Sequence, residues 1–220
     1  MLENGFVELM LRGIAETLYM TLASTAASYV IGLPMGVVLC VTGENGICPN
    51  RPLNAVLGTI VNIIRSVPFI ILLVAVIPVT RFIVGTSLGS SATIVPLVIG
   101  AAPFVARLVE TSLSEVSSGV IEAGRSMGAS TWQLITKVLV PEAAPSLIAN
   151  ATTAATTILG YSAMAGFVGG GGLGAIAINY GYYRYETVTM LVTVALMVVI
   201  VQLIQSIGTA TVKRSDKRKK

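Results

Sequence analysis

Histidine is absent from the 220 residues, and cysteine occurs only as Cys40 and Cys48. With no imidazole there can be no Ser/His/Asp triad, no HExxH zinc site and no histidine acid/base chemistry. No catalytic residue and no metal site is expected. Charge is scarce too: 11% of residues are charged, against about 25% in soluble domains. The charges sit in short zones with long apolar stretches between them, the pattern of a membrane protein. The formal net charge is +4, but residues 213–220 hold six basic and one acidic side chain, which leaves −1 for the rest. A basic tail directly behind an apolar segment marks the cytoplasmic side and faces anionic lipid headgroups rather than nucleic acid.

A helix needs about 20 apolar residues to cross a bilayer. Charge-free or nearly charge-free stretches predict five spans at about 17–43, 53–80, 82–106, 143–167 and 187–212, the second interrupted by Arg65. The run Gly169-Gly-Gly-Gly-Leu-Gly174 is a poor helix interior and ends the fourth span. An interfacial or re-entrant segment follows, with Tyr180, Tyr182, Tyr183 and Tyr185 as an aromatic belt. The expected fold is all-α, a single polytopic transmembrane domain over residues 1–220.

A cytoplasmic tail and five spans place the N-terminus outside. The loops agree: cytoplasmic zones 44–52, 107–142 and the tail hold ten basic residues, against Arg12, Arg81 and Arg184 outside. The first residues lack a basic n-region, so insertion through the first span is expected rather than a cleaved leader. Cys40 and Cys48, near the cytoplasmic end of that span, are expected as free thiols. Gly32 and Gly36 form a small-xxx-small packing face. Gly169-x-Gly171-x-x-Gly174 matches the dinucleotide fingerprint formally, but it follows a membrane helix rather than a strand.

Within the loop 107–142, Ser130-Thr-Trp-Gln133 fits a capping box. Residues 118–127 suit a short helix, with Glu122 and Arg125 three apart and Gly128 as a left-handed stop. Pro141-Glu142 suits a helix first turn. Taken alone, these signals fit an ordinary connector as well as a docking element. The spacing Glu122-Ala123-Gly124, three residues, Gly128, nine residues, Val138-Leu-Val-Pro141 resembles the EAA loop of ATP-binding-cassette (ABC) importer permeases. It departs from that pattern by Gly124 for Ala, Val138 for Ile and Val140 for Leu.

Residues 62–73 (NIIRSVPFIILL), 84–87 (VGTS), 100–107 (GAAPFVAR) and 160–164 (GYSAM) also resemble methionine ABC importer permeases. The resemblance implies a type I importer fold in the bacterial inner membrane and a path for L-methionine, with the D isomer left open. It implies a homodimer, two ABC ATPase subunits and an extracytoplasmic binding protein. It assigns ATPase coupling to Glu122, Ala123, Gly124, Arg125 and Gly128. No phosphate-loop motif is present, so ATP and Mg would be used by the partner ATPase and no cofactor by this chain. Without an internal repeat, ten helices around a central path require two copies.

Tyr161, Ser162 and Met164, just before the glycine run, are candidates for path or gate; helix packing accounts for the small residues there equally well. Arg65 is an intramembrane cation, expected to anchor structurally by snorkelling or to line the path, with Pro68 bending the helix beside it. Pro78, Pro96 and Pro103 suit kinked helices. Other readings remain: another amino acid or a methionine-containing peptide as cargo, an ATP-independent secondary transporter, or a scaffold that recruits a partner through the loop.

Overall fold

The computed structural model describes residues 2–215, with side chains from Gly5 onward. The basic tail beyond Ser215, with Asp216, Lys217, Arg218, Lys219 and Lys220, lies outside the described residues. Every regular element among the described residues is helical.

Helix α1, Leu2–Thr42, runs about 60 Å at 1.5 Å per residue. It begins well before the expected position 17, because hydropathy marks where the membrane starts and not where a helix does. Its polar first turns stay helical, supported by an Arg12–Glu16 ion pair of 2.9 Å one turn apart. One face of α1 is a line of small residues, with Thr17, Thr21, Ser24, Ser28, Gly32 and Gly36 all buried. The hydroxyls of Thr21, Ser24 and Ser28 make no hydrogen bond among the described residues; what they supply is small volume.

The partner of that face is α5, Ser90–Ser114. A Cβ on Gly32 would stand 2.7 Å from the Ala102 carbonyl oxygen, and one on Gly36 2.5 Å from that of Ala106. Backbones approach closely here because both helices carry small residues, the device that stands in for the hydrophobic effect between membrane helices. Pro96 and Pro103 are buried within α5, which continues through both.

The expected second span is broken. Helix α2, Arg51–Ser66, starts at an Asn50 cap, and α3, Phe69–Ala75, leaves it at 100°. Val67 is extended, as a residue before proline prefers, and Pro68 opens the next helix. A shorter helix, α4 (Ile77–Val84), with Pro78 in its first turn, ends at left-handed Gly85. Arg107 of α5 ties α2 in place: it pairs with Glu110 at 2.6 Å and donates to Asn62 Oδ1 at 2.9 Å and to the Gly58 carbonyl.

The third long helix thus begins at Ser90 rather than 82 and carries eight residues, 107–114, that were expected in the loop. After it come α6 (Ser118–Ser126), α7 (Thr131–Gln133), a π-helical turn (Leu134–Leu139), α8 (Val140–Glu142) and α9 (Ala144–Ala165). A single 3-10 turn, Gly166–Val168, precedes α10 (Gly172–Ile176), which runs on as the π-helical segment Ala177–Tyr182, and α11 spans Thr187–Ser215. Four stretches are long and apolar enough to cross a membrane, Gly5–Thr42, Ser90–Ser114, Ala144–Tyr182 and Thr187–Ser215; the bent pair α2–α3 makes a fifth.

Candidate functional site: a docking helix and an intramembrane pocket

The segment between α5 and α9 folds as helix, sharp turn, helix. Gly128 has φ +80°, and the turn closes with Gly128 N–H donating to Arg125 O and Ala129 N–H to Gly124 O. That is a Schellman end, which satisfies carbonyls the helix would otherwise orphan. The next helix starts on a capping box: Ser130 Oγ accepts from Gln133 N–H and the Gln133 side chain accepts from Ser130 N–H. Ser130→Ala is expected to cost about 1 kcal/mol, read as a lowered unfolding midpoint of the purified protein.

Gly124 is the buried residue of α6, and its departure from the family's alanine has a packing reason. A Cβ there would lie 2.7 Å from Leu134 Cδ2, so alanine would need the tip of Leu134 to shift. Glu122 and Arg125 do not pair as their spacing suggested. The Arg125 guanidinium donates instead to the Ile47 carbonyl in the α1–α2 loop, pinning α6 to the body of the protein, since an exposed carboxylate competes weakly in water. Glu122 and Ala123 face outward, joined by two apolar side chains that the sequence pattern did not single out for docking: Met127 is 83% exposed and Trp132 72%. A lone tryptophan in a polar loop was the available signal. An exposed Met and Trp thus rim a polar helix, large apolar side chains of the kind that protein interfaces cover.

Inside the helical body, Tyr161 stacks on Phe69, ring centroids 4.2 Å apart and 6° from parallel. They wall a pocket of about 220 Å³ together with Arg65, Val67, Leu72 and Phe104. Met164, one turn on, is 45% exposed on the surface of α9. Ser162 does not share that surface: it is buried, and its hydroxyl donates to the Leu159 carbonyl at 2.7 Å. The grouping of Tyr161, Ser162 and Met164 therefore splits, because neighbours on a helix point about 100° apart. Pro68 stands at the α2–α3 break beside Arg65, as expected.

One connection had no local signal. Glu16 Oε2 accepts from Gly172 N–H at 2.8 Å and Thr17 Oγ1 from Leu173 N–H at 2.9 Å. Side chains of α1 thereby cap α10 at the end of the glycine run, across a separation of 156 residues.

A bundle of long apolar helices that carries a protruding capped helix for a partner is the architecture of a transport permease. The chain belongs to the family of binding-protein-dependent transport system inner membrane components, whose model matches residues 28–219. It is 53% identical over 211 residues, 96% of this chain and 94% of the relative, to a probable D-methionine transport system permease protein MetI of Vibrio cholerae. To the D-methionine transport system permease protein MetI of Escherichia coli K12 it is 55% identical over 158 residues, 72% of this chain and 73% of that protein. It superimposes with a TM-score of 0.94 at 51% identity, covering 95% of this chain and 97% of the other, on a structure of the inward-facing MetNI methionine ABC transporter. The chain thus has the type I ABC importer permease fold. An amino acid ABC transporter with histidines shares the fold at a TM-score of 0.79 and 19% identity.

Proposed function

We propose that this chain forms the membrane path of an ATP-driven importer of methionine, L and D. It works as a homodimer with two ABC ATPase subunits and an extracytoplasmic binding protein, and ATP and Mg are used by the ATPase. The observation that carries the coupling half is the α6 turn. Its Schellman end and capping box make it rigid, and its outward face of Glu122, Ala123, Met127 and Trp132 is free to seat in a partner. Arg125, through Ile47, and Gly124, through Leu134, join that helix to the membrane helices, so displacement of α6 is transmitted to them. The methionine half rests on relatives at about half identity over nearly the whole chain.

In the membrane the N-terminus lies outside and the C-terminus in the cytoplasm, as the ten basic residues of zones 44–52, 107–142 and the tail, against three in the other zones, favour. Met164, exposed at the end of α9, is the gate residue: a flexible thioether repacks around an apolar cargo. The test is uptake of labelled L-methionine and D-methionine into vesicles holding the permease, its ATPase and its binding protein. Uptake that requires hydrolysable ATP and is competed by unlabelled methionine supports the reading. ATP-dependent uptake of a different competitor removes methionine, and uptake indifferent to ATP removes the importer.

A further inference from the structure

Two arginines lie on facing helices and are treated very differently, Arg107 partly buried and Arg65 exposed. Arg107 donates three hydrogen bonds, to Glu110, Asn62 and Gly58. Arg65, in the last turn of α2, is exposed at the rim of the pocket it helps to line and has no hydrogen bond and no ion pair among the described residues. A guanidinium with five donors and no protein acceptor is available to an anionic group that enters the pocket. The pocket it lines lies level with the middle of α5: Gly100 and Phe104 bracket Ala102, the midpoint of that 25-residue helix. Lack of a side chain at Gly100 lets Phe69 and Leu72 close over α5, where a Cβ would meet them at 3.1–3.2 Å. Phe69 is thereby held flat against Tyr161.

We propose that Arg65 and the Phe69–Tyr161 stack form a transit site for an apolar amino acid, the guanidinium binding its α-carboxylate and the aromatic faces its side chain. This deepens the import reading above and rests on it. The pocket, at about 220 Å³, is smaller than the roughly 300 Å³ and upward of drug-sized sites. No acidic residue lines it, so it repels cationic side chains and favours a carboxylate. The flat π surface accepts a thioether or an aliphatic chain. The site therefore suits a small carboxylate with an apolar side chain rather than a sugar.

The assembled permease–ATPase complex in lipid nanodiscs, irradiated with the diazirine probe L-photo-methionine and mapped by mass spectrometry, tests this. Labelling is expected on peptides containing Phe69 or Tyr161, displaced by L-methionine at least about tenfold more strongly than by L-methioninamide, whose carboxylate is neutralised. Arg65→Gln is expected to abolish that preference and Arg65→Lys to restore part of it. The methioninamide arm uses the unaltered protein, so misfolding of a variant cannot mask the result. Equal competition by the amide overturns the proposal. So does unchanged labelling in Arg65→Gln with a lowered unfolding midpoint that added lipid restores, which assigns the side chain to a lipid phosphate. A complex that imports methionine with ATP but labels elsewhere overturns the site and leaves the import reading standing. Labelling at the site in a complex that does not import methionine keeps the site and removes methionine import.

Discussion

Gly128→Val lowers the methionine taken up per ATP hydrolysed by about five- to thirtyfold. A β-branched residue at φ +80° is strained by about 1–2 kcal/mol, which is a factor of about 5–30 in the ratio of closed to open turn. Nothing lies within 4 Å of the Cβ that Val would add, so the effect comes from backbone strain and not from a clash. When the turn opens, the bond from Ala129 N–H to Gly124 O is lost, and α6 no longer moves as one piece with the π-helical turn behind it. Gly128→Asn adds a side chain at the same place without that strain, because asparagine tolerates the left-handed region; its coupling ratio is expected near wild type. Parallel assays of vesicle uptake and phosphate release give the ratio. A wild-type ratio in Gly128→Val removes the rigid-coupling account.

Gly36→Leu prevents α1 from seating on α5. The first added carbon would stand 2.5 Å from the Ala106 carbonyl oxygen and 2.6 Å from Val109 Cβ, and the obstacle is backbone that cannot swing away. Overpacking of a close-packed seam costs about 1–3 kcal/mol and occasionally more. Here the higher end is expected, since Gly32, one turn away, is seated as tightly on α5 and must lift with it. A collapse of the monodisperse peak on detergent chromatography, with a lowered unfolding midpoint, is the expected outcome. Gly5→Ala, where nothing lies within 4 Å, is the matched substitution and is expected to leave both unchanged. An unaltered Gly36→Leu protein would mean that the small-residue seam is not what holds α1 against α5.

Much of the docking element could be read from the chain because its determinants are local. The capping box at Ser130, the stop at Gly128 and the helix before it each depend on residues within about five positions, and all stand as expected. The break at Pro68 was readable for the same reason; its 100° angle was not, since it depends on where α5 and α9 receive α3. Helix ends in the apolar stretches were read less well. Glu16 and Arg107 mark span edges in the sequence, yet both lie inside longer helices, α1 and α5, where they pair with Arg12 and Glu110. The spacing of Glu122 and Arg125 suggested a pair, whereas the guanidinium found a backbone carbonyl from a distant loop.

By itself the sequence determined the class: absent histidine, scarce charge, long apolar stretches and the spacing of the EAA-like loop follow from composition and local order. Only the tertiary structure decided which side chains meet. Along an apolar helix every face is hydrophobic, so periodicity cannot tell that Ser162 turns inward while Met164 turns out, or that α1 shows its hydroxyl line to α5. Nor can it bring Tyr161 onto Phe69 or Glu16 onto Gly172. Those contacts join residues far apart in the chain, and they are set by close packing between helices rather than by any local preference.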